Sequence, residues 1–107
     1  MNLDPSSVPI SVQPLLPLAE IWGVGGDYDR GMLIEQASLD DLCAVVDAVD
    51  RVPDGDLYGW LAGPEALQSR PTREYVAVTN VTMVADEARI ILRRAGHGEP
   101  SGDNRQC

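Results

Sequence analysis

Residues 72–95 carry the clearest periodic pattern in this sequence, and that pattern predicts one long helix. Its apolar residues are separated by four, three, four and three positions, the spacing of a helical seam: Ala77, Val81, Val84, Ala88 and Ile91. A β-hairpin is the alternative, because Tyr75 to Val84 is rich in β-branched residues. The hairpin would need a turn at 85–88, where Ala-Asp-Glu-Ala favours helix and offers no Gly, Asn or Pro. We therefore predict a helix, with Thr82 on its polar side.

Shorter helical patterns precede the long one. Three segments place apolar residues on one helical face: Leu15, Leu18, Ala19 and Trp22; Leu39, Leu42, Cys43, Val46 and Val49; and Leu57, Trp60 and Leu61. Another short helix is expected at about 28–36. Ser38 and Asp41 have the spacing of a capping box, and Asp56 is expected to cap the helix after Pro53. The sequence predicts an all-α fold, a small bundle of four to five helices with a long C-terminal helix (about 72–95).

The 107 residues provide room for one domain with polar ends. Residues 1–12 contain Pro5, Pro9 and three serines without any periodicity. We expect a disordered N-terminal segment at 1–12, a helical domain at 13–95 and a flexible C-terminal tail at 96–107.

The sequence offers no sign of a membrane segment. It has no uninterrupted apolar run of about 18 residues, and no basic residue precedes Arg30 as it would in a signal peptide. We therefore predict a cytoplasmic protein. Cys43 lies on an apolar helix face and is expected to be a buried free thiol.

Acidic side chains dominate the first two thirds of the chain. Residues 1–69 hold twelve acids and two arginines, and the whole chain has a net charge of −9. The candidates for one acidic surface that attracts a basic protein are Asp40, Asp47, Asp54 and Asp56. The alternative is a solvated face that only keeps the protein in solution. The arginines near the end of the long helix, Arg89, Arg93 and Arg94, are expected to complement the helix dipole and are too few for direct nucleic acid binding.

No pattern of residues indicates a catalytic or metal site. The glycine-rich stretch at 23–26 lacks the preceding strand and the lysine of a phosphate-binding loop. A calcium loop counted from Asp27 would have Ser38 where it needs glutamate. His97 lies between glycines near the end of the chain, so no fixed partner is available for acid–base chemistry. We predict a non-enzymatic protein with no cofactor and no metal.

A second apolar stripe repeats every seven residues on a neighbouring face of the long helix. Its members are Val76, Met83 and Ile90. The protein's own helices could cover it, or another chain could. Monomers rarely expose large apolar patches, so the stripe favours a homodimer or a partner complex.

These features together favour a non-enzymatic cytoplasmic protein-interaction module with an acidic surface. It would bind a basic protein partner, as small immunity or antitoxin proteins do. Two alternatives stay open. One is a DNA mimic whose carboxylates stand in for phosphates, and the other is an accessory or scaffold subunit of a larger enzyme complex. Partner binding would depend steeply on salt for the first two classes and weakly for the scaffold.

Overall fold

The computed structural model describes residues 3–23, 27–64 and 71–95, and these ranges contain five α-helices and two short 3-10 helices in full. The 3-10 helices are Pro5–Ser7 and Ile10–Leu15, and the α-helices are α1 (Leu16–Trp22), α2 (Asp27–Gln36), α3 (Leu39–Arg51), α4 (Asp54–Leu61) and α5 (Arg73–Arg94). The described ranges contain no β-strand. The predicted all-α fold with a long C-terminal helix is confirmed, and the hairpin alternative is wrong.

The 22-residue helix α5 is bounded by signals at both ends. The Thr72 hydroxyl accepts a hydrogen bond from the Tyr75 backbone N–H at 3.2 Å, which caps the first turn. Arg93 and Arg94 lie in the last turn, where positive charge complements the helix dipole. Arg89 lies before that turn and has a different role, described below.

One face of α5 forms the centre of the core. Small and β-branched residues on this face are fully buried: Ala77, Val78, Val81, Val84, Ala85 and Ala88. Helix α3 packs on them through Leu42, Val45, Val46 and Val49. The predicted seam is confirmed except at Ile91, which is only half-buried. The outward placement of Thr82 is wrong, because its side chain is buried. Its hydroxyl donates to the Thr79 carbonyl oxygen at 2.6 Å, which satisfies the polar group and makes its burial tolerable.

Helices α1 and α5 approach each other closely at Gly23. A Cβ added to Gly23 would collide with the backbone of Ala77, so only glycine fits there. The Asn80 side-chain amide also donates to the Gly23 carbonyl oxygen at 2.9 Å. Gly23, the C-cap residue of α1, therefore also sets how close the two helices lie.

Helices α3 and α4 begin in different ways. The capping box predicted for α3 is confirmed: the Asp41 N–H donates to the Ser38 hydroxyl at 3.1 Å, and the Ser38 N–H donates to the Asp41 carboxylate at 3.4 Å. The cap predicted at Asp56 is wrong, because α4 starts at Asp54. The Pro53 carbonyl oxygen accepts the Asp56 N–H, so Asp56 lies inside the first turn.

The N-terminal segment differs from the disorder expected for residues 1–12. Leu3, Val8 and Val12 are buried in the core, so the described domain extends further towards the N-terminus than position 13. Two carboxylates hold the segment: Glu20 accepts the Leu3 N–H at 3.3 Å, and Glu74 accepts the Asp4 N–H at 2.8 Å. The burial of these three apolar side chains and the two hydrogen bonds to the backbone together offset the conformational entropy that the segment loses on ordering. The tail predicted at 96–107 lies outside the described residues.

Cys43 also differs from expectation. It is half-buried on α3 and is disulfide-bonded rather than a free thiol. The other cysteine of the chain, Cys107, lies outside the described residues.

Gly23→Ala should lower the free energy of unfolding by about 1–3 kcal/mol, because the added methyl group must push α1 away from α5. Gly31→Ala is the matched control. Gly31 lies in α2 with open space around its Cβ position, so alanine should stabilise the protein by about 0.5–1 kcal/mol. Urea denaturation of both variants measures the difference. Equal effects would show that the close approach at Gly23 is not a constraint.

Glu74→Gln should lower stability at neutral pH by about 1–2 kcal/mol, because it weakens a buried charge-assisted hydrogen bond. The backbone hydrogen bond from Asp4 lowers the pKa of Glu74 from its ordinary value of 4.5. The carboxylate's contribution is therefore complete above pH 4.5 and is lost as pH falls through the lowered folded-state pKa. Denaturation at several pH values should show the gap between variant and wild type shrinking in acid. A gap independent of pH would contradict this role.

Candidate interaction surface

The outward face of α5 exposes three large apolar side chains in one line. Val76 is 42% exposed, Met83 47% and Ile90 46%. Their seven-residue spacing extends the line over about 21 Å of helix. We call these three residues the α5 stripe. No described part of the chain covers the stripe fully, and whether a second chain does so stays a prediction.

A solvent-open groove of about 620 Å³ lies beside the stripe, between α2, the start of α3 and α5. Apolar side chains from the three helices and from the connection between α2 and α3 line it: Ile34, Ala37, Leu39, Leu42, Met83 and Ile91. Met83 belongs to both the groove and the α5 stripe. The two features therefore form one continuous apolar surface.

Asn80 of α5 links two of the helices near this groove. Its carbonyl oxygen accepts a hydrogen bond from the Arg30 guanidinium of α2 at 3.2 Å, and its amide donates to Gly23 at the end of α1. These bonds hold α2 alongside α5 because one side chain serves both neighbours. The groove was not predicted from the sequence, since the position of α2 depends on this tertiary contact.

The charges at the edge of the groove are mainly acidic. Glu35 of α2 and Glu87 of α5 line it and are exposed. Neither carboxylate has an ion pair or hydrogen bond with any residue that the structure describes. The one basic side chain in the groove lining is Arg30, so two carboxylates outnumber one guanidinium there. The groove therefore presents negative charge to a ligand.

The four acids predicted to form one surface lie on two helices. Asp40 and Asp47 are seven residues apart on the outward face of α3, and Asp54 and Asp56 lie in the first turn of α4. Asp47 is half-buried and the other three are exposed. Across the described ranges none of the four is ion-paired. Their role in partner binding stays a prediction.

The structure instead gathers two other acids around Arg89. Its guanidinium contacts the Asp50 carboxylate of α3 at 2.5 Å and the Asp86 carboxylate at 2.8 Å. Partial burial, with Asp86 close by, raises the pKa of the Tyr58 hydroxyl on α4. Arg89 therefore joins α3 to α5, which corrects its expected role at the helix dipole. Sequence spacing reveals the Asp86–Arg89 pair but not Asp50, which lies 39 residues away.

The described residues contain no group of three His, Cys, Asp or Glu side chains placed to hold a metal ion. None of the described helices has the length and apolar character needed to cross a membrane. Comparisons with protein-family models, curated proteins and solved structures found no significant match to this chain.

Met83→Glu should leave the protein folded, with a change in stability within about 0.5 kcal/mol, because the Met83 side chain already faces water. Val84→Glu is the matched comparison on the next residue. Val84 is fully buried, so glutamate there should cost about 3–5 kcal/mol. Circular dichroism with urea denaturation distinguishes the two. Unfolding of Met83→Glu would mean that the α5 stripe belongs to the core.

Proposed function

We propose that this protein is a non-enzymatic interaction module that binds a basic protein partner, in the manner of small immunity or antitoxin proteins. The observation that carries the proposal is the exposed α5 stripe on a chain of net charge −9. Exposed apolar patches of this kind commonly mark contact sites, and surrounding carboxylates draw a cationic partner to them. In this proposal the acidic side chains and the α5 stripe act on different steps of binding.

The acidic side chains would act mainly on the rate of association. Asp40, Asp54 and Asp56 are exposed and lack ion pairs within the described ranges, so their field reaches the solvent. Long-range attraction of this kind raises the association rate and is screened by salt. The α5 stripe would act on the dissociation rate, because buried apolar contacts are lost only when the complex separates.

A scaffold subunit is the second candidate, and the α5 stripe is the observation that favours it. A subunit held by apolar contacts also needs an exposed apolar line such as Val76, Met83 and Ile90. The two candidates differ in how binding responds to salt. A DNA mimic would share the steep salt dependence, but its partner would be a nucleic-acid-binding protein.

Cytoplasmic location is part of the proposal and conflicts with one feature of the structure. The disulfide at Cys43 is unusual for a reducing compartment. Alkylation of intact cells measures the state of this thiol directly. A labelled Cys43 supports the cytoplasm, and an unreactive Cys43 that labels only after reduction contradicts it.

The test of function begins with co-expression of the products of the neighbouring genes. The purified complex should contain a basic protein, and its association rate constant should fall at least about tenfold between about 50 and about 500 mM salt. Asp40→Asn should slow association further than Asp29→Asn, a matched change on an exposed acid of α2. A salt-independent rate indicates the scaffold. If none of the basic proteins encoded by the neighbouring genes binds, the proposal is wrong.

A further inference from the structure

The groove and the α5 stripe have the dimensions of a site for a helix. Amphipathic helices bind grooves through apolar anchors at positions i, i+3 or i+4, and i+7. A partner helix that lies along α5 at the small crossing angle of coiled coils repeats its anchors every seven residues. Val76, Met83 and Ile90 have this same repeat, and the groove beside Met83 offers about 620 Å³ for larger anchors.

The charges around the groove favour a partner helix with basic side chains. Glu35 and Glu87 line the groove without an ion pair or hydrogen bond in the described ranges, and their two negative charges outnumber the single positive charge of Arg30. A lysine or arginine that flanks the apolar anchors would meet these carboxylates. An acidic helix would instead add like charges to a chain of net charge −9.

A second copy of this chain fits the surface less well. A stable two-fold dimer buries about 800 Å² on each partner, and a dimer through the α5 stripe alone would bury only a fraction of that area, because its three side chains are each less than half exposed. Two copies would also bring together two net charges of −9.

We propose that the groove and the α5 stripe bind the apolar face of a basic amphipathic helix supplied by the partner. This inference rests on the proposed function and specifies the structural element that is recognised. Leucine, isoleucine or methionine anchors would enter the groove between Leu39 and Met83. Basic residues on either side of the anchors would lie near Glu35 and Glu87.

The test uses three synthetic peptides and the full-length protein. The first peptide places leucines on one helical face and lysines elsewhere, the second has the same composition with the leucines dispersed, and the third replaces lysine by glutamate. Fluorescence anisotropy measures each dissociation constant. We expect the first peptide to bind with a dissociation constant below about 100 μM and at least about tenfold more tightly than the other two.

Gly31→Leu fills the groove without disturbing the core. Gly31 lines the groove, and a Cβ at this position meets no heavy atom within 4 Å. The variant should weaken binding of the first peptide at least about tenfold, because the leucine occupies the space of an anchor. Gly59→Leu is the matched control, since Gly59 lies exposed in α4 with equal space and outside the groove. It should change affinity by less than about twofold.

A double variant tests the charges independently of the shape. Glu35→Gln with Glu87→Gln should weaken the first peptide several-fold and reduce the salt dependence of binding, because both carboxylates face solvent at the groove. Circular dichroism confirms that each variant is folded.

The outcomes separate the inference from the proposed function. If the dispersed peptide binds as tightly as the first, or if Gly31→Leu has no effect, the acidic surface binds lysine peptides through charge alone. The inference of a site for an amphipathic helix is then wrong. If neither lysine peptide binds, both proposals fail. If the glutamate peptide binds equally well, the role of charge is wrong. If the wild type dimerises and Met83→Glu abolishes the dimer, the occupant is a second copy and the inference is overturned.

Discussion

Burial of one face of α5 by α1 and α3 organises the whole molecule. That face consists largely of alanine and valine, so the neighbouring helices can lie close to its backbone. The chain contains no phenylalanine, and the fully buried residues of this α5 face carry no aromatic ring. Gly23 shows how close the contact is, because even a methyl group there would collide with Ala77. Volume changes in this interface should therefore be costly.

Single polar side chains attach the peripheral segments to this centre. Glu74 and Glu20 fix the N-terminal segment, Asn80 holds α2, and Arg89 joins α3 to α5. Three of these four side chains belong to α5. The same helix thus supplies the core face, the polar anchors and the exposed stripe. The α5 stripe stays partly exposed because no described helix covers it fully.

The features predicted correctly from the sequence are those set by local interactions. The period of α5 and the capping box of α3 depend on residues within one or two turns of each other. Val76, Met83 and Ile90 share one face of α5, as their seven-residue spacing predicts, but the sequence left open whether the protein's own helices cover that face. The burial of Leu3 and the charge partner of Arg89 depend on contacts across 17 to 70 residues. The groove could not be predicted because it exists only once α2 is fixed against α5.

The central claim is that α5 has one closed face and one open face in the free protein. Methyl NMR with a water-soluble paramagnetic probe measures both faces in a single experiment on the dilute wild type. The account predicts strong broadening of the Met83 and Ile90 methyl signals, together with protection of Val81 and Val84, whose side chains are fully buried. Protection of Met83 and Ile90 equal to that of Val81 would show that the outer face is already covered, and would contradict the account.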